Sequence, residues 1–339
     1  MEKQVTQMSH GDLVFLAWSR LSVRTRLLAE ELGAYIVFIE EGPPYLRNWF
    51  KTGRELERLK PRIVLVQLPQ GPLLYLALRL AKRYGFHVVA DVHTGFVHPA
   101  SLAEKLLNGP FRRLLRQCSL VLAQGEASRE YLVAKGFSHS DNTITVYDPV
   151  GRPLVEMEPY EYVEPGSYIL VPASWTHDEP LDFIVREYAE FKVHEKWGYK
   201  LVITGNYRRR AGLARRIMGV NGVVLTGFVS DAVYHWLIAN AALVIAATTR
   251  KCTALMRAIW DAALYETPVV MSWTKTLEKE ITTPCFFRYV NGGLGTVLEA
   301  CLENEEYRYL TKLALRELKK RSAKTLEDLK ARLMELLKY

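Results

Sequence analysis

The sequence predicts an α/β protein made of two doubly wound domains, each built on a parallel sheet. Short apolar or β-branched runs alternate with amphipathic stretches of ten or more residues, which is the pattern of parallel α/β units. The alternation stops in a segment rich in proline and glutamate between Asp148 and Gly166, and it then restarts. At 339 residues the chain also exceeds one ordinary domain. We therefore expect two such domains in succession.

Twelve short apolar runs predict the strands of the two sheets. The run Ile63 to Val66 is apolar at every position, as expected for a strand whose sheet is covered by helices on both faces. The predicted strands are Leu13 to Ala17, Tyr35 to Ile39, Ile63 to Val66, His87 to Ala90, Leu120 to Ala123, Ile144 to Val146, Tyr168 to Val171, Lys200 to Ile203, Gly222 to Leu225, Leu243 to Ala246, Pro268 to Met271 and Cys285 to Phe287.

The domain boundaries follow from the interruption and from the C-terminal composition. We expect an N-terminal domain over residues 1–150 and a C-terminal domain over residues 165–305. Beyond Gly295 leucines recur at helical spacing among many lysines, which predicts C-terminal helices over residues 306–339 that pack back across the domains. Two such domains facing each other would form a central cleft, and ligands of parallel sheets bind beyond the carboxyl ends of the strands.

Charge and composition limit the classes of partner and site that the sequence can predict. The 45 basic and 37 acidic residues give a net charge of +8, which favours anionic partners such as nucleotide phosphates or an acidic membrane surface. The four cysteines lie far apart without a CxxC pair, so neither a disulfide framework nor a zinc site is predicted. The abundance of Glu, Lys and Arg favours a thermophilic protein.

No targeting segment is predicted. The N-terminal residues MEKQVTQMSHGD lack the apolar stretch of a secretory signal. The stretch from Ile63 to Ala81 is interrupted by prolines, a glycine and Arg79, which argues against a membrane span. We expect a cytoplasmic protein that contacts the cytoplasmic face of a membrane at most peripherally.

The first candidate site is the run ADVHTG from Ala90 to Gly95, directly after a predicted strand. A neutral imidazole at His93 can accept a proton or bind a sugar hydroxyl, and Asp91 can orient it. The alternative is a histidine that hydrogen-bonds only to neighbouring backbone.

The second candidate is SWTHDE, Ser174 to Glu179, after the first strand of the second domain. The hydroxyls of Ser174 and Thr176 can donate to phosphate oxygens, whereas Asp178 and Glu179 are typical of a first helical turn. Helix capping is the competing interpretation.

The third candidate is the run Thr248 to Thr253, which precedes a helix predicted from Ala254 to Leu264. Arg250, Lys251, the hydroxyls and free N–H groups at a helix start together favour binding of a diphosphate. Gly205, Asn206 and Arg208 follow another strand and can approach the same phosphates. A solvated basic loop is the alternative. No phosphate-binding GxxxxGK[ST] loop, GxGxxG fingerprint, HExxH or DxD pair is present.

The fourth candidate is the basic amphipathic segment from Ser101 to Gln117. Ser101 and Glu104 form a possible capping box, and Gly109 with Pro110 divides the segment into two helices. Its cations and apolar residues fit an anionic membrane surface, although packing against the first sheet explains the same pattern.

Particular runs resemble the GT-B glycosyltransferases over nearly the whole chain. VQLPQGP at Val66 to Pro72, ADVHTG, SWTHDE and ITGN at Ile203 to Asn206 are similar, in order and spacing, to the chitobiosyldiphosphodolichol beta-mannosyltransferase family. LTGF at Leu225 to Phe228 is common across GT-B enzymes.

The resemblance implies a metal-independent transferase with two Rossmann-like domains. Its C-terminal domain would hold a nucleotide sugar, favoured as GDP-mannose, and its N-terminal domain a saccharide acceptor, commonly lipid-linked. His93, with Asp91, becomes the catalytic candidate, a general base if the anomeric configuration inverts. The predicted donor-binding residues are Ser174, Trp175, Thr176, Gly205, Asn206, Arg208, Gly227, Phe228, Arg250, Lys251, Thr253 and Asp261. The predicted acceptor or membrane surface comprises Trp18, Arg20, Phe96, Phe111, Arg112, Arg113 and Arg116.

One departure from the family pattern keeps alternatives open. Many GT-B transferases carry two glutamates before a GTPVV turn, and those positions are Thr253 and Asp261 here. The family that the chain resembles also has an aspartate at the second position, which Asp261 fits, so the departure is Thr253, which cannot accept two sugar hydroxyls as a carboxylate would. A UDP-sugar-dependent retaining transferase or a sugar-nucleotide epimerase on the same fold is one alternative. A non-catalytic binder of sugar nucleotides or polyanions is another; nucleic acid is not expected as a partner.

Overall fold

The chain forms two compact units. The computed structural model describes residues 11–42, 45–99, 105–106 and 108–338. The first unit consists of Met1–Pro149 with Arg321–Tyr339, and the second of Val150–Lys320. Residues 146–167, between the last strand of the first unit and the first strand of the second, contain no helix or strand. This matches the loss of periodicity there.

The first unit contains a six-stranded parallel sheet in the order β2-β1-β3-β4-β5-β6. The strand order reverses between β1 and β3, so these neighbours lead to helices on opposite faces of the sheet. The strands are β1 Leu13–Trp18, β2 Tyr35–Ile39, β3 Ile63–Gln67, β4 His87–Val92, β5 Leu120–Ala123 and β6 Thr143–Thr145.

Helices cover both faces of this sheet because successive side chains of each strand point to opposite sides. Val64 and Val66 belong to one buried cluster, whereas Ile63 and Leu65 belong to another. The helices are α1 Val23–Leu32, α2 Leu46–Leu59, α3 Gly71–Tyr84, α4 Thr94–Val97 and α5 Glu126–Ala134, with a 3₁₀ helix at Gly109–Gln117.

The second unit contains another six-stranded parallel sheet, in the order β12-β11-β10-β7-β8-β9. Its order reverses between β7 and β10. The strands are β7 Tyr168–Val171, β8 Lys200–Thr204, β9 Val223–Gly227, β10 Leu243–Ala246, β11 Val269–Ser272 and β12 Phe286–Phe287. The helices are α6 Leu181–Glu190, α7 Val193–Trp197, α8 Ala211–Ile217, α9 Asp231–Asn240, α10 Arg257–Tyr265, α11 Leu277–Glu280, α12 Gly293–Glu303 and α13 Glu305–Leu336, with a 3₁₀ helix at Tyr207–Arg210.

The C-terminal residues form one continuous helix, α13, of 32 residues. Its residues up to Lys320 belong to the second unit and those from Arg321 to the first. Leu326, Leu329 and Leu333 pack in the buried cluster beneath β1 and β3. The last turns of the chain therefore complete the core of the first unit.

All twelve predicted strands are present, with ends shifted by at most two residues, and the two doubly wound parallel sheets are confirmed. The helix predicted from Ala254 starts three residues later, at Arg257. The Thr253 N–H donates to Thr276 Oγ1 at 2.9 Å, and Met256 is extended. A side-chain contact from another loop thus holds the backbone out of the helix.

Part of the segment Ser101 to Gln117 lies outside the described residues, including the capping-box residues Ser101 and Glu104. Its second half is the 3₁₀ helix Gly109–Gln117 rather than an α-helix. Among the residues that the structure describes, no helix is both long and apolar enough to cross a bilayer.

Candidate functional site

The loops after β7 and β10 lie side by side at the point where the strand order of the second sheet reverses. β7 and β10 pair directly, with Leu243 opposite Ile169. Ligands of open parallel sheets bind at such a reversal, outside the carboxyl ends of the strands. Two of the predicted sites, Ser174 to Glu179 and Thr248 to Thr253, occupy these two loops.

Direct contacts join the two loops. Arg250 Nε bonds Asp178 Oδ2 at 2.7 Å, and the Thr249 N–H donates to the Asp178 carbonyl at 2.8 Å. Burial alone would raise the pKa of Asp178, but the charge and hydrogen bond of Arg250 lower it. Arg250 is therefore fixed in place and partly neutralised by a carboxylate from the other loop.

The Glu179 side chain forms hydrogen bonds within the loop after β7. Its two carboxylate oxygens accept the N–H groups of Ser174 at 2.9 Å and Thr176 at 3.2 Å. Burial raises the pKa of Glu179 in spite of these hydrogen bonds. These N–H groups are occupied, and the Thr176 side chain hydrogen-bonds to Asp178, so Ser174 has its hydroxyl to offer a phosphate.

Trp175 and Gly205 hold the loops of β7 and β8 together. Trp175 is 2% exposed, and its indole N–H donates to the Thr204 carbonyl at 2.9 Å. Gly205 has a φ of +88°, and a Cβ there would lie 1.8 Å from the Ala173 carbonyl oxygen. Both residues are packed beneath the loop surface. Trp175 therefore shapes the loop and presents almost no side-chain surface to a ligand.

The cations after β8 and β10 differ in their surroundings. Arg209 donates to the Ser174 carbonyl at 3.1 Å, and Arg210 donates to the Glu179 carbonyl at 3.1 Å. Arg208 and Lys251 are exposed. Arg209 and Arg210 thus brace the loop after β7, whereas the other two present their charge to solvent.

Three predicted residues lie at the ends of the neighbouring strands β8 and β9. Asn206 Oδ1 accepts the Arg208 N–H at 3.2 Å and so starts the short 3₁₀ helix. Gly227 ends β9, and the Phe228 side chain that follows is 88% exposed. An aromatic ring so open to solvent has no packing role in its own unit.

Thr253 and Asp261 are both engaged within the chain. The Thr253 hydroxyl donates to the Ala254 carbonyl at 2.9 Å. Asp261 Oδ1 accepts from Arg257 at 2.7 Å and Oδ2 accepts from the Tyr234 hydroxyl at 2.9 Å. Burial and the Asp261 charge raise the pKa of Tyr234. The Oδ1 contact with Arg257 therefore lies within α10, whereas the Oδ2 contact with Tyr234 joins α10 to α9.

The first unit contains a buried ion-pair network at the carboxyl end of β4. Arg24 donates from Nε to Asp91 at 2.9 Å and from Nη1 to Asp148 at 2.8 Å. His93 Nε2 lies 2.9 Å from the second oxygen of Asp91. Burial opposes the charge on Asp91, but Arg24 and His93 hold its pKa at about 2. The pKa of Arg24 is raised, because the two carboxylates outweigh its burial.

This network determines the tautomer of His93. An ionised carboxylate can accept a hydrogen bond but cannot donate one, so Nε2 must carry the proton shared with Asp91. In the neutral ring the lone pair then lies on Nδ1, which is the proton acceptor. The imidazole side chain is 16% exposed. Nδ1 is thus the ring nitrogen that the contact with Asp91 leaves open to accept a hydrogen bond or a proton.

A second polar cluster lies at the strand reversal of the first sheet. Gln67, the last residue of β3, donates to the Arg20 carbonyl at 2.7 Å and accepts from the Ser22 N–H at 3.0 Å. It ties the loop after β1 to β3, and the Arg20 side chain is exposed beside it.

The predicted acceptor or membrane surface is wrong for three of its seven residues. Trp18 and Phe96 are 1% and 0% exposed, and Arg112 is buried with its guanidinium over Phe137. Phe111 packs against the core of the first unit. Arg20, Arg113 and Arg116 are exposed. Trp18 and Phe96 belong to the core of the first unit, and within the segment Ser101 to Gln117 the packing of Phe111 agrees with the alternative that this segment covers the sheet.

Sequence reasoning missed Arg24 and Asp148, which together with Asp91 orient His93. Arg24 lies in the first turn of α1, just after β1, and Asp148 follows β6. The rule that drew attention to His93, proximity to the carboxyl end of a strand, applies equally to them. Within the described part of the chain, no cluster of three or more His, Cys, Asp or Glu side chains could hold a metal ion.

Known proteins share this architecture. The model of Glycosyltransferase Family 4 matches residues 14–150. A crystal structure of HepE from Anabaena in complex with UDP and glucose superposes with a TM-score of 0.72, at 12% identity, over 95% of this chain and 99% of that one. The same protein in complex with UDP-glucose gives a TM-score of 0.71 at 13% identity, with the same coverage.

Sucrose-phosphate synthase from Thermosynechococcus elongatus gives a TM-score of 0.73 at 11% identity, over 96% of this chain and 98% of that one. No curated protein sequence matches the chain. At these identities the likeness is one of fold: two Rossmann-like α/β units of the GT-B type followed by a C-terminal helix.

Proposed function

We propose that the protein is a glycosyltransferase that takes a sugar from a nucleoside diphosphate donor. The observation that carries this proposal is the pair of loops after β7 and β10, joined by Arg250 and Asp178 at the strand reversal of the second sheet. The match of residues 14–150 to Glycosyltransferase Family 4 supports it.

In this proposal the second unit binds the donor. Lys251 and Arg208 offer exposed positive charge to the diphosphate, with Arg250 fixed beside them. The Ser174 hydroxyl adds a neutral donor, and Thr176, which hydrogen-bonds to Asp178, supports this loop. The exposed ring of Phe228 offers a face on which a nucleobase can stack. Fixed donors of this kind stabilise a departing diphosphate without reorganisation during the reaction.

His93 of the first unit acts as the general base. Nδ1 takes the proton of an acceptor hydroxyl while that oxygen bonds to the anomeric carbon of the donor. The bond from this carbon to the diphosphate oxygen breaks, and its electron pair leaves with the diphosphate. Asp91 and Arg24 keep the imidazole in the required tautomer. This step describes an inverting transfer.

Two nucleotide sugars are candidates for the donor. The similarity of VQLPQGP, ADVHTG and SWTHDE to the mannosyltransferase family favours GDP-mannose, whereas HepE from Anabaena binds UDP-glucose. Thr253 carries no carboxylate for the sugar hydroxyls, and Asp261 already accepts from Arg257 and Tyr234. Both donors therefore belong in the first screen.

The test combines donor binding with turnover. Donor at 100 times its Kd adds about 2.7 kcal/mol of stability, so thermal shift with GDP-mannose, UDP-glucose and UDP-GlcNAc identifies the donor. Lys251→Ala should reduce this shift and lower turnover by about 10²-fold. His93→Ala should keep the shift and lower transfer by about 10²- to 10⁴-fold.

Arg215→Ala serves as the control, because Arg215 is an exposed cation near the end of α8, away from the carboxyl ends of the strands. If no nucleotide sugar shifts the melting temperature, the proposal fails. A shift without transfer to any saccharide acceptor would favour the non-catalytic binder, and interconversion of the sugar without an acceptor would favour the epimerase.

We also propose that the first unit docks on an anionic lipid surface through an exposed patch on α2, which fits a lipid-linked acceptor. Leu46 and Phe50 lie one turn apart and are 68% and 70% exposed. Arg47 and Arg54 are exposed on the same helix. We call these four residues the α2 patch. Apolar side chains flanked by cations match the acyl boundary and headgroups of acidic lipids.

The α2 patch predicts selective vesicle binding. The protein should co-sediment with phosphatidylglycerol vesicles but not with phosphatidylcholine vesicles, and added salt should weaken the binding. Leu46→Ser with Phe50→Ser should weaken it at least about tenfold, since each buried CH₂ contributes about 0.8 kcal/mol. Tyr309→Ser with Leu310→Ser removes comparably exposed apolar side chains from α13 and should change nothing. Equal binding by both double variants would exclude the α2 patch.

A further inference from the structure

Two cysteines that are 16 positions apart in the sequence lie in contact inside the second unit. Cys285 Sγ and Cys301 Sγ are 2.9 Å apart. Cys285 immediately precedes β12, and Cys301 lies on α12. The two residues are 1% and 0% exposed, respectively. We call them the thiol pair.

The surroundings of the thiol pair favour ionisation of one member. The Thr311 hydroxyl, from α13, donates to Cys285 Sγ at 2.9 Å. The hydrogen bond from Cys301 lowers the pKa of Cys285 to about 7, and the same contact raises the pKa of Cys301. Cys118 behaves oppositely, since burial raises its pKa to about 12. In the closed unit this contact therefore leaves the proton on Cys301 and the thiolate on Cys285.

We propose that the thiol pair is a site of disulfide formation, with a small-molecule disulfide such as oxidised glutathione as the oxidant. One cysteine thiolate, written here as that of Cys285, attacks one glutathione sulfur, and the other glutathione leaves as a thiolate. The Cys301 thiolate then attacks Cys285 Sγ and releases the second glutathione. Two cysteine thiols are oxidised, one glutathione disulfide is reduced to two thiols, and the protons of the cysteines pass to the leaving thiolates or to water.

The burial of both sulfurs determines when the reaction occurs. An intermolecular attack needs access that the folded unit denies, so the bond forms while α12 is open or during folding. Packing of Leu294 and Leu298 of α12 in the core then brings the two sulfurs together. The proposal does not depend on the proposed function.

The disulfide would close the segment between β12 and α12. This segment carries Tyr289, whose hydroxyl donates to the Thr248 carbonyl at 2.7 Å. Thr248 lies in the loop after β10. A cross-link that restricts the unfolded chain over this short loop stabilises the folded unit. The same bond supports the loop that carries Arg250 and Lys251.

The experiment is refolding of the full chain in a mixture of reduced and oxidised glutathione, against refolding with a phosphine reductant. Free thiols are then alkylated in denaturant and counted by mass spectrometry. We expect two alkylated thiols, Cys118 and Cys252, after oxidative refolding, and four after reductive refolding. Peptide mapping should link Cys285 to Cys301. The melting temperature of the oxidised protein should be higher by about 5 °C.

Two variants make the result decisive. Cys118→Ala with Cys252→Ala should still form the link and keep the higher melting temperature. Cys301→Ala should show no reductant-dependent shift, and its own folding is checked by circular dichroism. Four free thiols after oxidative refolding, or a link that involves Cys118 or Cys252, would overturn the proposal.

Discussion

At the scale of single residues, replacing Asp91 should affect both the stability of the first unit and the orientation of His93. It accepts from Arg24 and His93 through different oxygens, so one carboxylate orients the imidazole and neutralises part of a buried guanidinium. Loss of its charge would leave Arg24 with Asp148 alone as an anionic partner. Removing one member of a buried ion pair commonly costs about 3–5 kcal/mol, because the other charge remains desolvated.

The lowered pKa of Asp91 predicts acid sensitivity of the first unit. The folded-state pKa is about 2, against an ordinary value of 3.8, so its contribution is complete above pH 3.8 and is lost as the pH falls towards 2. We expect a loss of about 2 kcal/mol in the free energy of unfolding over this window. Urea unfolding between pH 2 and 6 measures it.

The matched variant is Asp91→Asn, which keeps the shape but cannot ionise. It should be less stable at neutral pH and should lack this part of the acid dependence. If the stabilities of wild type and variant run parallel between pH 4 and pH 2, Asp91 does not have the assigned pKa.

At the scale of elements, the close approach of the loops after β7 and β8 requires glycine at position 205. A Cβ there would overlap the Ala173 carbonyl oxygen, and the left-handed φ adds strain. Gly205→Ala should therefore cost about 3 kcal/mol or more of stability, combining backbone strain with overpacking. The loop after β7 should be displaced as well.

Gly198 supplies the control for this prediction. It has a φ of +75° but no heavy atom within 4 Å of a Cβ position. Gly198→Ala should cost about 1–2 kcal/mol, the strain alone. Chemical denaturation of both variants separates the two effects. Equal losses would mean that the contact with Ala173 is unimportant.

At the scale of the whole molecule, the C-terminal part of α13 packs into the core of the first unit, which is otherwise built from N-terminal residues. Leu329 of α13 is fully buried with β1 and β3 residues, more than 250 positions away in the sequence. Leu329→Ala should cost about 2–5 kcal/mol, as expected for a leucine-sized cavity. Leu313→Ala, on the same helix at a 39% exposed position, should cost less than about 1 kcal/mol.

Thermal unfolding of the two leucine variants tests this arrangement. The Leu329 variant should lower the transition of the first unit specifically, which limited proteolysis can report as earlier cleavage within residues 11–149. A destabilisation no larger than that of the Leu313 variant would contradict the assigned packing.

The local sequence pattern was sufficient to predict the strands. Runs such as Ile63 to Val66 identify strands because a strand covered on both faces needs apolar side chains at every position. The same pattern located the strand ends, and with them His93, Arg250 and Lys251. The pattern predicted the start of α10 wrongly, because the Thr253 N–H donates to the Thr276 hydroxyl there.

Only the tertiary structure shows which residues far apart in the sequence are in contact. The sequence by itself determined twelve strands, two parallel sheets and the loops at their carboxyl ends, since each depends on residues close together in the chain. The folded structure decided that Arg250 meets Asp178, that Arg24 meets Asp91 and Asp148, that Cys285 meets Cys301, and that Trp18 and Arg112 are buried. Strand order sets these contacts, and no local periodicity encodes strand order.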